Sequence, residues 1–271
     1  MPIIYALANQ KGGVGKTTTA VSVGAYMARV GQRVLIVDID PQANATSSLG
    51  IDKRAVQPST YDLLVRGVSV ARIARPINQS GLSLAPSSPA LAGATVELVN
   101  LPRREYRLSQ ALTGLEREYD YVLIDCPPSL GILTVNGLTA ATDGVIIPVQ
   151  CEYLALEGLS QLMRAIELVR RALNPRSRLR GLVMTMFDVR TTLSRQVVEE
   201  VQRHFPGKVF HTIIPRNVRL SEAPSYGEPI TSYAPRSAGA LAYEALTREL
   251  LAGDGGAPPI AGSSQPIVAD C

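Results

Sequence analysis

Tryptophan is absent from the 271 residues and only 3 are phenylalanine, so aliphatic side chains must build any core. With 46% hydrophobic and 18% charged residues, the composition is that of a globular chain. An aliphatic core suits parallel strands buried on both faces. The 3 cysteines, Cys126, Cys151 and Cys271, are odd in number and lack Cys-x-x-Cys spacing. That pattern points away from a disulfide framework and from a four-ligand zinc site. No apolar run of about 18 residues is available to span a bilayer, and Met1-Pro2-Ile3-Ile4 leads directly into a strand pattern without a leader. A cytoplasmic protein with reduced thiols is expected.

The formal net charge of +4 is unevenly spread. From Arg164 to Arg219 stand 12 Lys or Arg against 4 Asp or Glu, whereas the remainder carries 15 against 19. A basic surface on a slightly acidic body suggests a polyanionic partner such as nucleic acid. Arginines on ordinary solvated helices would give the same count.

Short apolar runs alternate with longer helical periodicity, which predicts βαβ units. The expected fold class is α/β, a mostly parallel twisted sheet flanked by helices on both faces. Strands are predicted at 3–8, 33–38, 82–85, 121–125, 144–149, 179–186 and 209–213. Helices are predicted to begin near Thr17, Thr60, Pro89, Arg107, Ile132, Leu156, Thr191 and Pro235. Residues 1–251 read as one domain and 252–271 as a flexible tail, since its Gly, Pro and Ser leave too few apolar residues to offset the entropy of ordering it.

The strongest chemistry lies where the first strand meets the first helix, at Lys11-Gly12-Gly13-Val14-Gly15-Lys16-Thr17-Thr18. Three glycines let the backbone curl so that successive N–H groups point at phosphate oxygens. The helix N-terminus adds unpaired donors and its positive dipole end. Lys16 would reach the β and γ phosphates of ATP, and the Thr17 hydroxyl would ligate Mg²⁺. The pattern GxxxxGK[ST] asks for glycine where Gln10 stands, and a second lysine, Lys11, opens the loop instead. Two further carboxylates end strands, where ligands bind in such sheets. Asp125 fits the magnesium shell, through water, and Asp40 fits a group that orients or deprotonates the attacking water.

The loop resembles the deviant Walker A motif of the ParA/Soj family of chromosome and plasmid partition ATPases, relatives of MinD and the nitrogenase iron protein. Val37-Asp38-Ile39-Asp40-Pro41-Gln42-Ala43-Asn44 and Asp125-Cys126-Pro127-Pro128-Ser129-Leu130-Gly131 resemble its second and third motifs. Pro148-Val149-Gln150-Cys151-Glu152-Tyr153 and the run from Ile214 to Ser225 resemble the chromosomal Soj branch. The likeness extends from about residue 2 to 251.

This resemblance implies a P-loop NTPase that forms a homodimer in the ATP state, two nucleotides being sandwiched between subunits. Lys11 would reach the partner's phosphates, Asp40 would be needed for hydrolysis, and a side chain at Gly12 would block closure. It further implies non-specific DNA binding through Arg190 and Arg219, and an adenine pocket lined by Pro215, Arg216 and Asn217. Slow hydrolysis stimulated by a ParB/Spo0J-type centromere-binding protein is implied too, as is a cytoplasmic protein that associates with the nucleoid when ATP is bound. A MinD-like membrane-associated positioning ATPase is the alternative, but it would need an amphipathic anchor that the terminal segment lacks; no membrane partner is expected. An iron–sulfur protein would need cluster thiolates, with only Cys126 and Cys151 internal. A small-molecule ligase or amidase would need a further substrate site.

Overall fold

The computed structural model describes residues 1–153 and 155–255. Its seven strands are β1 Ile3–Leu7, β2 Val34–Asp38, β3 Arg75–Pro76, β4 Leu82–Ala85, β5 Tyr121–Asp125, β6 Gly144–Gln150 and β7 Leu179–Thr185. They form one sheet in the order β3-β4-β2-β5-β1-β6-β7. Every named pairing is parallel except that of β3 with β4. The helices among the described residues are α1 Lys16–Arg29, α2 Asn44–Ser48, α3 Val70–Ile73, α4 Leu91–Glu97, α5 Arg107–Ala111 and α6 Ile132–Ala140. They continue with α7 Ala155–Ala172, α8 Thr192–His204, α9 Val218–Glu222, α10 Ile230–Tyr233 and α11 Ala238–Gly253.

Alternation along each strand divides the core in two, because successive side chains point to opposite faces. Leu35, Val37, Val122, Ile124 and Ile147 face one layer with Leu138 of α6 and Leu159 and Ile166 of α7. Val34, Ile36, Tyr121, Leu123 and Ile146 face the other, with Val23 and Met27 of α1 and Leu246 and Leu250 of α11. Helices therefore cover both faces of the sheet, as the sequence predicts for strands that are apolar throughout. Thr19 of α1 and Tyr243 of α11 share a buried hydroxyl contact of 3.0 Å that joins the two helices.

Residues 209–213 do not form the expected seventh strand; the sheet's seventh member is instead the short β3, Arg75–Pro76, which the sequence does not predict. Phe210 N–H donates to Leu182 and Ile214 N–H to Met184, so the segment touches β7. Between those points the N–H groups of His211 and Thr212 donate instead to the Glu249 carboxylate of α11, at 2.7 and 3.0 Å. A side chain has taken the donors that a continuous ladder needs.

Described structure continues past residue 251, where the expected domain ends. Helix α11 runs to Gly253, and the Asp254 side chain is 5% exposed, paired with Arg180 at 3.0 Å and accepting from the Tyr5 and Tyr121 hydroxyls. The rest of the expected tail, 256–271, lies outside the described residues. Removing one partner of a buried ion pair strands the other charge, so Asp254→Ala is expected to lower stability by about 3 kcal/mol. Urea unfolding measures it; an unchanged midpoint would show that the network carries no stability.

Candidate active site

The phosphate-loop residues lie between β1 and α1, outside the carboxyl ends of the central strands. The loop is tied down on both sides. Asn9, just beyond β1, donates its side-chain amide to the Pro148 carbonyl of β6 at 2.7 Å, and its Oδ1 accepts from Lys11 N–H at 3.0 Å. Thr185, the last residue of β7, donates its hydroxyl to the Val14 carbonyl at 2.9 Å. Gly13 and Gly15 have φ of +74° and +89°, a region that L side chains resist. A Cβ added at Gly12 or Gly13 would meet nothing within 4 Å, so open space lies above the loop.

Lys16 begins α1, is 6% exposed, and donates its ammonium to the Lys11 carbonyl at 3.1 Å. Burial lowers its pKa, opposed chiefly by the charge of Asp125. Thr17 donates its hydroxyl to Asp125 Oδ2 at 2.7 Å, joining the start of α1 to the end of β5. The other oxygen, Asp125 Oδ1, is buried without a hydrogen-bond partner. A buried carboxylate oxygen left bare calls for a cation or its water shell.

Asp125 faces Asp38 across the β2–β5 register. Burial raises the pKa of both, and the charge of Asp38 raises that of Asp125 further; Asp38 is pushed up to about 6 by burial, against the hydrogen bonds it accepts from Thr46 and Asp40. Asp40 is 6% exposed, and its Oδ1 accepts from Gln42 N–H at 2.9 Å. The structure thus gathers Lys16, Thr17, Asp40 and Asp125 around the loop.

The remaining expected residues lie further out. Lys11 carries its ammonium outward to Glu152 Oε2 at 3.0 Å, the two side chains being 40% and 51% exposed. Pro215 pairs with Phe187 just beyond β7, Arg216 N–H donates to the Phe187 carbonyl at 2.9 Å, and Asn217 caps α9 by accepting from Arg219 N–H. The loops holding Arg190 and Arg219 are therefore neighbours. Neither guanidinium is unpaired. Arg190 grips Asp188 with two hydrogen bonds, 2.9 and 2.7 Å, and Arg219 pairs with Glu222 at 2.8 Å.

Other arginines of the basic stretch are paired as well. Arg170 and Arg171 pair with Glu167, Arg176 pairs with Asp143, and Arg180 is drawn beneath the sheet to Asp254. Partners such as Asp143 and Asp254 lie outside the counted window, so a local charge tally overstates the open positive surface. Cys126 and Cys151 are both buried. Burial pushes both thiols up, Cys151 to about 12. Among the described residues no group of three or more His, Cys, Asp or Glu could hold a metal by itself, and no helix is long and apolar enough to cross a membrane.

A family model described as an AAA domain matches residues 2–179. The sporulation initiation inhibitor protein Soj of Bacillus subtilis (strain 168) is 55% identical over 249 residues, covering 92% of this chain and 98% of that protein. The chain belongs to the Soj/ParA family of chromosome-partitioning ATPases. Another member, the chromosome partitioning protein ParA of Myxococcus xanthus (strain DK1622), is 51% identical over 93% of this chain and 88% of its own length. Among solved structures, cobyrinic acid a,c-diamide synthase from Mycobacterium smegmatis with bound ADP and magnesium has a TM-score of 0.83 at 38% identity. It covers 97% of this chain and 100% of that one.

For a Soj/ParA ATPase, two neighbours of the site carry more than their motifs disclose. Asp38 and Glu152 both stand inside recognised motifs, yet only the structure pairs Asp38 with Asp125 and Glu152 with Lys11. The sequence signal for Asp38 was its strand-ending position, shared with Asp125. For Glu152 there was no comparable signal, because its partner is 141 residues away.

Proposed function

We propose that this chain is an ATP-driven switch that dimerises around two nucleotides, binds DNA without sequence preference in that state, and partitions chromosomes or plasmids. The observation that carries it is the different setting of two lysines in one loop. Lys16 is buried in the loop of its own chain, whereas Lys11 stands exposed at the mouth, held by a surface ion pair. Such pairs are weak and screened, so a partner subunit's phosphates can draw Lys11 away from Glu152. A second positive charge then meets the γ-phosphate only when two chains meet, which couples hydrolysis to dimerisation.

The ligand is ATP with Mg²⁺. The loop N–H groups and Lys16 would take the phosphates, and Thr17 and, through water, Asp125 with its bare Oδ1 would hold the metal. A cation held there would supply positive charge beside the phosphate oxygens. Asp40 orients or deprotonates the attacking water, and Pro215, Arg216 and Asn217 border the adenine. A side chain at Gly12 would meet nothing in its own chain, so its expected effect is exerted across the dimer. Residues 1–251, extended to Asp254 by the contacts above, are the ATPase unit.

Arg190 and Arg219 are the DNA contacts, two copies of each acting in the dimer. Phosphates must displace Asp188 and Glu222, which exposed ion pairs permit at small cost. Turnover is slow alone and accelerated by a ParB/Spo0J-type partner, in a cytoplasmic protein that follows the nucleoid while ATP is bound. An amide-forming role like that of the synthase is less favoured, because identity to the partition proteins is higher, 55% against 38%.

DNA binding measured with ATP, with ADP and without nucleotide tests the reading: only the ATP state should bind, with affinity falling steeply as salt rises. In the same assay Arg219→Glu is expected to weaken binding at least about tenfold and to flatten the salt dependence, while ATP-driven dimerisation survives. Wild-type DNA affinity in that variant would rule out the surface.

A further inference from the structure

Both peptide groups flanking Asp40 are held by a closed ring of hydrogen bonds that leaves its carboxylate out. Asp40 N–H donates to Asp38 Oδ1 at 3.1 Å. Asp38 Oδ2 accepts from the N–H and the hydroxyl of Thr46, at 2.9 and 2.7 Å. Thr46 Oγ1 in turn accepts from Ser87 N–H at 2.8 Å, and the Ser87 hydroxyl closes the ring on the Asp40 carbonyl at 2.7 Å.

Asp38, Thr46 and Ser87 are each 0% exposed, so a missing member leaves its partners cut off from bulk water at a cost. They come from three elements: the end of β2, the helix α2, and the residues just after β4. Between Asp40 and Thr46 the chain passes through Ala43 at φ +52°, a left-handed conformation costly for a residue with a Cβ. Such strain persists only where the surroundings over-determine it, and the ring is that surrounding. Ala43 N–H itself donates to the Asp40 carbonyl at 2.8 Å, the oxygen that Ser87 also holds.

We infer that Ser87 and Thr46 are positioning residues for hydrolysis, fixing through this ring where the Asp40 carboxylate stands against the attacking water. The inference rests on the assignment of Asp40 above. Neither side chain needs to touch ATP. Their effect is on the geometry of the chemical step, where a displacement of about 1 Å can cost roughly 100-fold.

Single-turnover ATP hydrolysis and ATP affinity, measured on the full chain, test this with five variants, Asp40→Ala among them. Ser87→Ala removes the donor to Asp40, and Thr46→Val keeps the shape but removes the hydroxyl; each is expected to lower the hydrolysis rate about tenfold or more with ATP affinity within about twofold. Thr46→Ser restores the hydroxyl and is expected to stay within about twofold of wild type. Ser87→Ala added to Asp40→Ala is expected to cause no further loss, as residues acting through one group do. The inference is overturned if Ser87→Ala hydrolyses within about twofold of wild type while Asp40→Ala is inactive. Equal losses of rate and affinity, or a Thr46→Ser variant as slow as Thr46→Val, would also overturn it. An Asp40→Ala variant with wild-type hydrolysis would instead remove the assignment of Asp40, and the inference with it.

Discussion

Asp40→Ala is expected to bind ATP nearly as well as the parent and to hydrolyse it at least about 100-fold more slowly, the range over which a positioned general base acts. The reason is local. Asp40 stands at the carboxyl end of β2 beside the loop, with its main chain locked by buried partners and one carboxylate oxygen used only by Gln42 N–H. It makes no contact that holds the loop in shape, so its loss should spare binding. Rapid-quench hydrolysis with a parallel binding titration reads both quantities. A variant that lost affinity and rate together would place Asp40 in nucleotide binding.

Lys16→Ala has the opposite signature. Lys16 is the buried cation of the loop, balanced by Asp125, and its removal leaves the carboxylates of Asp125 and Asp40 beside the loop without a buried positive charge. ATP affinity is expected to fall at least about 100-fold, equivalent to roughly 2.7 kcal/mol. Calorimetric titration with ATP and Mg²⁺ checks it. Unchanged affinity would contradict the nucleotide site as a whole.

How much of this was legible beforehand depends on whether a residue's role is local. The strands β2 and β5 were readable because they are buried on both faces and apolar throughout, ending in the two carboxylates. The loop was readable because its glycines, lysines and threonine do their work within eight consecutive residues. Helix α2 was not, since it is short and entered through a left-handed alanine, a position that sequence rules reserve for glycine or asparagine. Segment 209–213 has a strand's composition, but Glu249, 37 and 38 residues away, takes its donors. Ser87 carries no signal at all in the sequence, because its importance comes from Thr46 and Asp40, which reach it only through the fold. Ion pairs such as Arg176–Asp143 and Arg180–Asp254 are hidden for the same reason: charge in sequence does not disclose the acid on another element.

The central claim is that one chain holds half of an active site and that ATP brings the halves together. Light scattering on Asp40→Ala tests it most directly, since blocked hydrolysis preserves the ATP state. With ATP and Mg²⁺ the mass is expected to double from the 29.0 kDa of one chain, and with ADP to remain at that value. A variant that binds ATP yet stays at the mass of one chain at micromolar concentration would contradict the account.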